Sequence, residues 1–514
     1  MMDPDSAVEY NRRGAAYAMA GDYQRALVEF SQAITLKPLD PSIYHNRALV
    51  YRSLNDHRHA LDDLDLAIQL HPHYGTAYYQ RGLTHYLLKQ NRKAIHDFST
   101  AYSIRADDVA SLIGRALAYI ALEENEQAVL NLDRAIALNP SQAGIMGAYS
   151  GRGQALAALK QFEQAIPDFE KALELNPDDV VLLNRLGAAY TDSGSPQQSI
   201  SQYDKAIALL PDTAFTYNNR GEAYRLLKMY REAIEDFDRA LALDSTLALI
   251  YYNRGLAYFA LLEPLRAVKD YTRALDLNPA LYTIYNDRAN GYSALKMYRE
   301  AIADYDVILE QNPDDALAAF NRGTMYLQVD DPDMAIEDFD HVIELQPDFA
   351  CAYNNRGEAY LRIYDIVQAR EDCRRSWELD QTHIDHGWMA VWSDICLKKP
   401  DVEIAERLDR IAEVAPYDYD AYLCRCAAYW LRGEAESALL EVEQALLLQP
   451  DRWGAYFWKG MTCVSLRRDK EAIEALERAI GKNIPPVLLY PLSWFEKERP
   501  DFYAAYAAPL LERL

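Results

Sequence analysis

The residues best suited to chemistry are few and poorly grouped. Seven of the ten histidines fall in the first hundred residues, and His57/His59 and His71/His73 are spaced two apart. Neither pair has companions at metal-site spacing, and His71 and His73 merely flank Pro72. Cys424-x-Cys426 is isolated, and Cys373, Cys426 and Cys463 fall at positions expected to pack as small or apolar residues. Gly151-Arg152-Gly153 lacks both the Lys-Ser/Thr of a phosphate loop and a preceding strand. No Gly-x-Ser-x-Gly elbow occurs. No catalytic residue, metal or cofactor is assigned, and the chain is not expected to be an enzyme.

What recurs is polar and periodic. Arginine returns at Arg13, Arg47, Arg81, Arg115, Arg152, Arg220, Arg254, Arg288, Arg322, Arg356 and Arg425. Sixteen residues after most of these stands an acid, as in Asp236, Asp270, Asp304 and Asp338. Asparagine clusters at Asn46, Asn218/Asn219, Asn253, Asn286, Asn321 and Asn354/Asn355. Guanidinium–carboxylate pairs build architecture, whereas an amide presents donors and an acceptor at once and suits a peptide backbone.

The elements that position these groups follow from a 34-residue period. Gly14, Gly82, Gly153, Gly187, Gly221, Gly255, Gly323 and Gly357 keep it, as do Pro38, Pro72, Pro140, Pro177, Pro211, Pro279, Pro313 and Pro347, apart from one three-residue slip at Ala143-Gly144-Ile145. Fourteen units then start at Ala7, Pro41, Gly75, Val109, Met146, Val180, Ala214, Ala248, Tyr282, Ala316, Ala350, Asp385, Tyr419 and Trp453. In Ala214–Leu247 the apolar positions Tyr217, Gly221, Tyr224, Ala233, Phe237 and Ala240 are spaced by three and four within each half, which predicts two helices per unit. If the turn falls near position 15, the arginine at position 7 and the acid at position 23 lie level across the hairpin. Ten units carry both charges, and those starting at Val180 and Asp385 lack both. The predicted ladder is structural, and any exposed pair in it contributes only about 0–1 kcal/mol.

This spacing of an aromatic, Gly-x2-Tyr, Ala-x3-aromatic, Ala and Pro resembles the tetratricopeptide repeat (TPR) family over roughly residues 7–486. The resemblance implies an all-α, right-handed superhelical solenoid of antiparallel helix pairs, with first helices lining a concave face. Residues 1–6 are read as a lead-in. Residues 487–514 are read as two short capping helices parted near Arg499-Pro500, because a solenoid must cover its terminal core. The unit from Asp385, with Trp388, Trp392 and Lys398-Lys399-Pro400, departs furthest from the pattern.

Family members contact ligands at positions 2, 5, 6, 9, 12 and 13 of the unit. Carried over, these positions give Asn46, Asn218, Asn219, Glu222, Arg225, Tyr252, Asn253, Asn286, Phe320, Asn321, Asn354, Asn355, Glu358 and Arg362 as the candidate surface for an extended protein or peptide partner. The structural ladder is represented by Arg220/Asp236, Arg254/Asp270, Arg288/Asp304 and Arg322/Asp338. The family's chaperone-tail clamp needs Lys at positions 5 and 2, which no unit has, so that role is not expected. Two other roles fit the resemblance: a sensor whose superhelix responds to a peptide effector, and a non-catalytic targeting subunit of an enzyme.

Composition narrows the partner. A net charge of −25 without a basic run argues against nucleic acid. No apolar stretch of membrane-spanning length occurs, so no membrane insertion is expected. The absence of a secretory leader and the sparse cysteines point to a cytoplasmic protein. The sequence leaves the oligomeric state open.

Overall fold

The computed structural model describes residues 4–138, 142–397, 402–482, 484 and 486–512. Pro140, Lys398, Lys399, Pro400, Pro485 and Leu514, and the side chains of Trp392 and Cys396, lie outside the described residues. The described residues are helical with short turns and include no strand. Two units divide the chain, Met1–Leu261 and Leu262–Leu514. Within each, helix hairpins stack in sequence order, every helix against the next, as an all-α solenoid.

The hairpin geometry is set by three repeated devices. First helices such as Ala214–Leu226 and Ala316–Gln328 run 13 residues, and second helices such as Tyr230–Leu243 and Pro332–Leu345 run 14. Between them, position 15 takes a left-handed conformation: Gly21, Gly194 and Gly433, but also Asn55, Lys89, Glu123, Lys228 and Tyr364, with φ of 57–81°. That conformation reverses the chain in the fewest residues, at a steric cost for a side chain bearing Cβ. Aspartates then cap the helices. Asp179 Oδ1 accepts from the Val181 and Leu182 amides, and Asp22, Asp56 and Asp365 start second helices the same way.

Packing explains the small residues. A Cβ at Gly221 would stand 2.7 Å from the Phe237 ring, and one at Gly187 would stand 2.6 Å from Tyr203. The aromatic at position 24 thus presses directly on the backbone of its partner helix. Position 20 carries fully buried alanine, as at Ala26, Ala60, Ala233 and Ala335.

The irregular places are absorbed in different ways. The three additional residues at Ala143-Gly144-Ile145 lengthen one first helix, Gln142–Ala158, to 17 residues rather than forming a loop. The opening helix begins at Pro4, ahead of the first repeat position. After the last hairpin, Pro486–Trp494 is a 3₁₀ run continued by the short helix Phe495–Glu498, because Pro491 has no amide to donate to an α-helical ladder. Arg499 breaks the run, and helical residues resume at Pro500. Arg499 ties this segment back to the last hairpin through the Val464 carbonyl (2.5 Å) and the Asp469 carboxylate (2.8 Å). Phe495 and Phe502 join the same buried cluster as Trp388 and Trp458.

Candidate functional site

The arginine at position 7 makes the connections that hold the hairpins in register. Arg220 donates from Nε and Nη2 to the two oxygens of Asp236, each at 2.7 Å, and from Nη1 to Asp204 of the preceding repeat at 2.6 Å. Its guanidinium lies over the rings of Tyr217 and Tyr224. Arg322 repeats the arrangement with Asp338 and Asp306, and Arg288 with Asp304 and the Thr272 hydroxyl. Arg254 reaches Asp238 at 2.6 Å, while Asp270 is buried. Hydrogen bonding to Asp236 holds Arg220 charged more firmly than a free guanidinium. Arg115 shows the converse. It faces the amide of Asn131 (2.6 Å), and burial without a carboxylate lowers its pKa. The acid at position 25 is a second, less regular signal in the sequence: Asp65, Asp204, Asp238, Asp306 and Asp340 keep the 34-residue register.

With the hairpins fixed, the first helices place the candidate amides in two kinds of setting. In the first unit, Asn253 Nδ2 donates to Asn218 Oδ1 at 3.0 Å and Asn218 Nδ2 donates to Asn219 at 3.3 Å, with Asn218 and Asn253 buried. Asn46 donates to Asn11 at 3.1 Å. These amides link first helices of neighbouring repeats. Glu222 and Arg225 form a two-pronged pair at 2.6 and 2.7 Å. Tyr252 is half-buried on the same face.

In the second unit, Asn355 donates weakly to Thr324 (3.4 Å), Asn321 lies near the Tyr305 hydroxyl, which donates to Asn290 (3.2 Å), and Asn286 is half-buried. Phe320 packs between Phe339 and Phe349, at ring distances of 5.8 and 5.0 Å. Asn354, Glu358 and Arg362 differ from all of these because they share the wall of a cavity of about 970 Å³. Leu361, Met389, Trp453 and Leu488 supply its apolar lining. Arg362 donates to Glu358 (2.7 Å) and to the Leu327 carbonyl (2.5 Å). Arg452 also lines the cavity, and its guanidinium lies over the ring of Tyr419. Among the described residues, nothing donates to the buried Oδ1 of Asn354. Trp453, Met389 and Leu488 were not singled out from the sequence, since they come from repeats far apart and follow no common period.

The groups first considered for chemistry are occupied otherwise. His59 binds Asp56 (2.7 Å) and stacks on Tyr51, and His71 stacks on Tyr74. Cys373, Cys424, Cys426 and Cys463 are buried, and burial pushes their thiols up. Among the described residues, no three His, Cys, Asp or Glu side chains are grouped to hold a metal, and no helix is long and apolar enough to cross a membrane.

Comparison with known proteins agrees with the repeat. Tetratricopeptide repeat models match residues 41–74, 75–108, 148–179, 214–247, 248–281, 316–349 and 405–486, together more than half of the chain. No curated protein matches. Among solved structures, YrrB, a TPR protein with an unusual peptide-binding site, is 27% identical over 36% of this chain and 95% of its own, with a TM-score of 0.33. The APC/C hetero-tetramer Cut9–Hcn1 is 13% identical over 93% of this chain and 97% of its own (TM-score 0.38). Yeast Tom70 is 17% identical over 98% and 99% (TM-score 0.32). These superpositions are too loose for residue-by-residue transfer. TPR proteins are generally non-catalytic scaffolds for protein or peptide partners. On its repeated hairpins and the models they match, this chain belongs to the tetratricopeptide repeat family.

Proposed function

We propose that this protein is a non-catalytic scaffold that holds an extended peptide segment of a protein partner in the cavity of its second unit. One observation carries the reading. Asn354 belongs to the cavity wall, and its buried carboxamide oxygen accepts no hydrogen bond among the described residues. An acceptor left dry costs about 1–3 kcal/mol, and a backbone N–H from a bound peptide removes that cost once the Asn354 side chain turns its oxygen into the cavity. Around it, Leu361, Met389, Trp453 and Leu488 give an apolar side chain of the peptide somewhere to bury.

Charge adds selection to this contact. Arg362 is shared between Glu358 and a backbone carbonyl, and Arg452 pairs with Asp420 at 3.3 Å. The partner therefore meets fixed charges of both signs rather than a uniform field. A net charge of −25 supports a partner other than nucleic acid, and the buried free thiols support residence in a reducing cytoplasm.

The test is affinity capture from the native host with the full chain, Asn354→Leu/Met389→Arg and Asn219→Ala. The double variant removes the amide acceptor and puts a charge into the apolar lining, whereas Asn219 lies in the first unit. Partners lost only with the double variant, at unchanged helicity and melting, support the cavity. Partners that persist on the double variant sink the proposal.

A further inference from the structure

The repeat from Asp385 reverses the ladder. Its first helix, Ile384–Leu397, carries Val391 where other repeats place arginine. The only buried carboxylate on that helix, among the described residues, is Asp394. Three arginines reach it from the second helices on either side. Arg370 and Arg374 come from Ile366–Leu379, at 3.3 and 3.1 Å. Arg407 comes from Val402–Ala412, at 2.7 Å. In repeats such as that from Ala316, one arginine serves two carboxylates, as Arg322 does. Here three guanidiniums share one carboxylate.

Beside this cluster is a cavity of about 390 Å³ walled by Arg407, Arg410, Trp377 and Gln381. Arg410 is exposed and makes no ion pair among the described residues, although Glu406 and Glu413 flank it on the helix surface. Of the other acids close in sequence, three have partners of their own. Asp409 binds Arg432, Glu378 lies 3.6 Å from Arg375, and Asp380 takes the Thr382 hydroxyl. Trp377 is held in place, since its ring approaches Gly387 closely enough that a Cβ there would stand 2.9 Å away. The cavity thus combines a free guanidinium, a second one fixed by Asp394, an amide and an immobilised aromatic face.

We propose that this cavity binds a small anionic group, a phosphate or a carboxylate, carried on a planar or apolar body that packs against Trp377. Arg410 supplies the unpaired charge, Arg407 a second charge already oriented by Asp394, and Gln381 a neutral donor. The site uses second helices and is independent of the cavity around Asn354.

Calorimetric titration of the full chain with phenyl phosphate, benzoate and inorganic phosphate tests it. Phenyl phosphate or benzoate binds saturably, and more tightly than inorganic phosphate. Preference for phenyl phosphate identifies a phosphate source and preference for benzoate a carboxylate source. Arg410→Gln weakens the preferred probe by about tenfold without lowering the melting temperature, because Arg410 is exposed and makes no ion pair among the described residues. Trp377→Leu removes the advantage of the aromatic probes over inorganic phosphate. No saturable heat, or affinity unchanged in Arg410→Gln, overturns the proposal.

Discussion

Two hairpins of the second unit solve the same packing problem with opposite signs. In the repeat from Ala316, Arg322 is half-buried between Asp338, nearly buried, and Asp306, half in solvent. In the repeat from Asp385, the buried centre is Asp394 and the arginines surround it. The hairpin therefore requires a satisfied polar contact between its helices but does not dictate which helix carries which sign. What differs is stoichiometry. In the repeat of Arg322 one cation contacts two anions, whereas in the reversed repeat one anion contacts three cations.

The comparison can be broken at its most loaded point. Asp394→Asn leaves three guanidiniums without their shared counter-charge, and we expect about 3 kcal/mol of lost stability, somewhat relieved because Arg370 and Arg374 are partly exposed. Hydrogen exchange should show the loss in Ile366–Leu379 and Ile384–Leu397. Protection equal to the parent chain would mean that the cluster is a surface coincidence.

A smaller loss, about 1 kcal/mol, is expected for Asp338→Asn, because Arg322 keeps Asp306 and gains an amide acceptor. The native Arg115–Asn131 contact is the precedent within this chain. Urea unfolding of the two variants side by side sharpens the contrast, and equal losses would remove it. The least effect, below about 0.5 kcal/mol, is expected for Asp306→Asn, whose carboxylate is 45% exposed. A loss comparable to that of Asp338→Asn would show that the link between repeats matters as much as the link within them.

The two sets of candidate amides show how far the sequence could be read. Asn218 and Asn253 recur in register with Asn354 and Asn355, and nothing in their identity separates them. The structure does. Asn218 and Asn253 hydrogen-bond each other across neighbouring first helices, while Asn354 lies beside a cavity with its oxygen unsatisfied. An amide's role depends on what stands opposite it, and that residue can come from a helix a hundred positions away. Trp453 and Leu488 at the Asn354 cavity are such residues.

The sequence by itself determined the hairpin. Glycine at position 8, alanine at position 20 and an aromatic at position 24 interact within 34 residues, so their spacing alone specifies helix lengths, turn and close approach. Arginine at position 7 and aspartate at position 23 belong to the same local arithmetic. Only the tertiary structure decided where the cavities lie and which polar groups they leave unsatisfied. A cavity wall is assembled from several repeats, and its charge balance depends on the stacking of their helices. The reversal at Asp394 is the clearest case: the sequence showed an arginine and an acid missing from their usual places, and stacking gathered three arginines around one buried carboxylate.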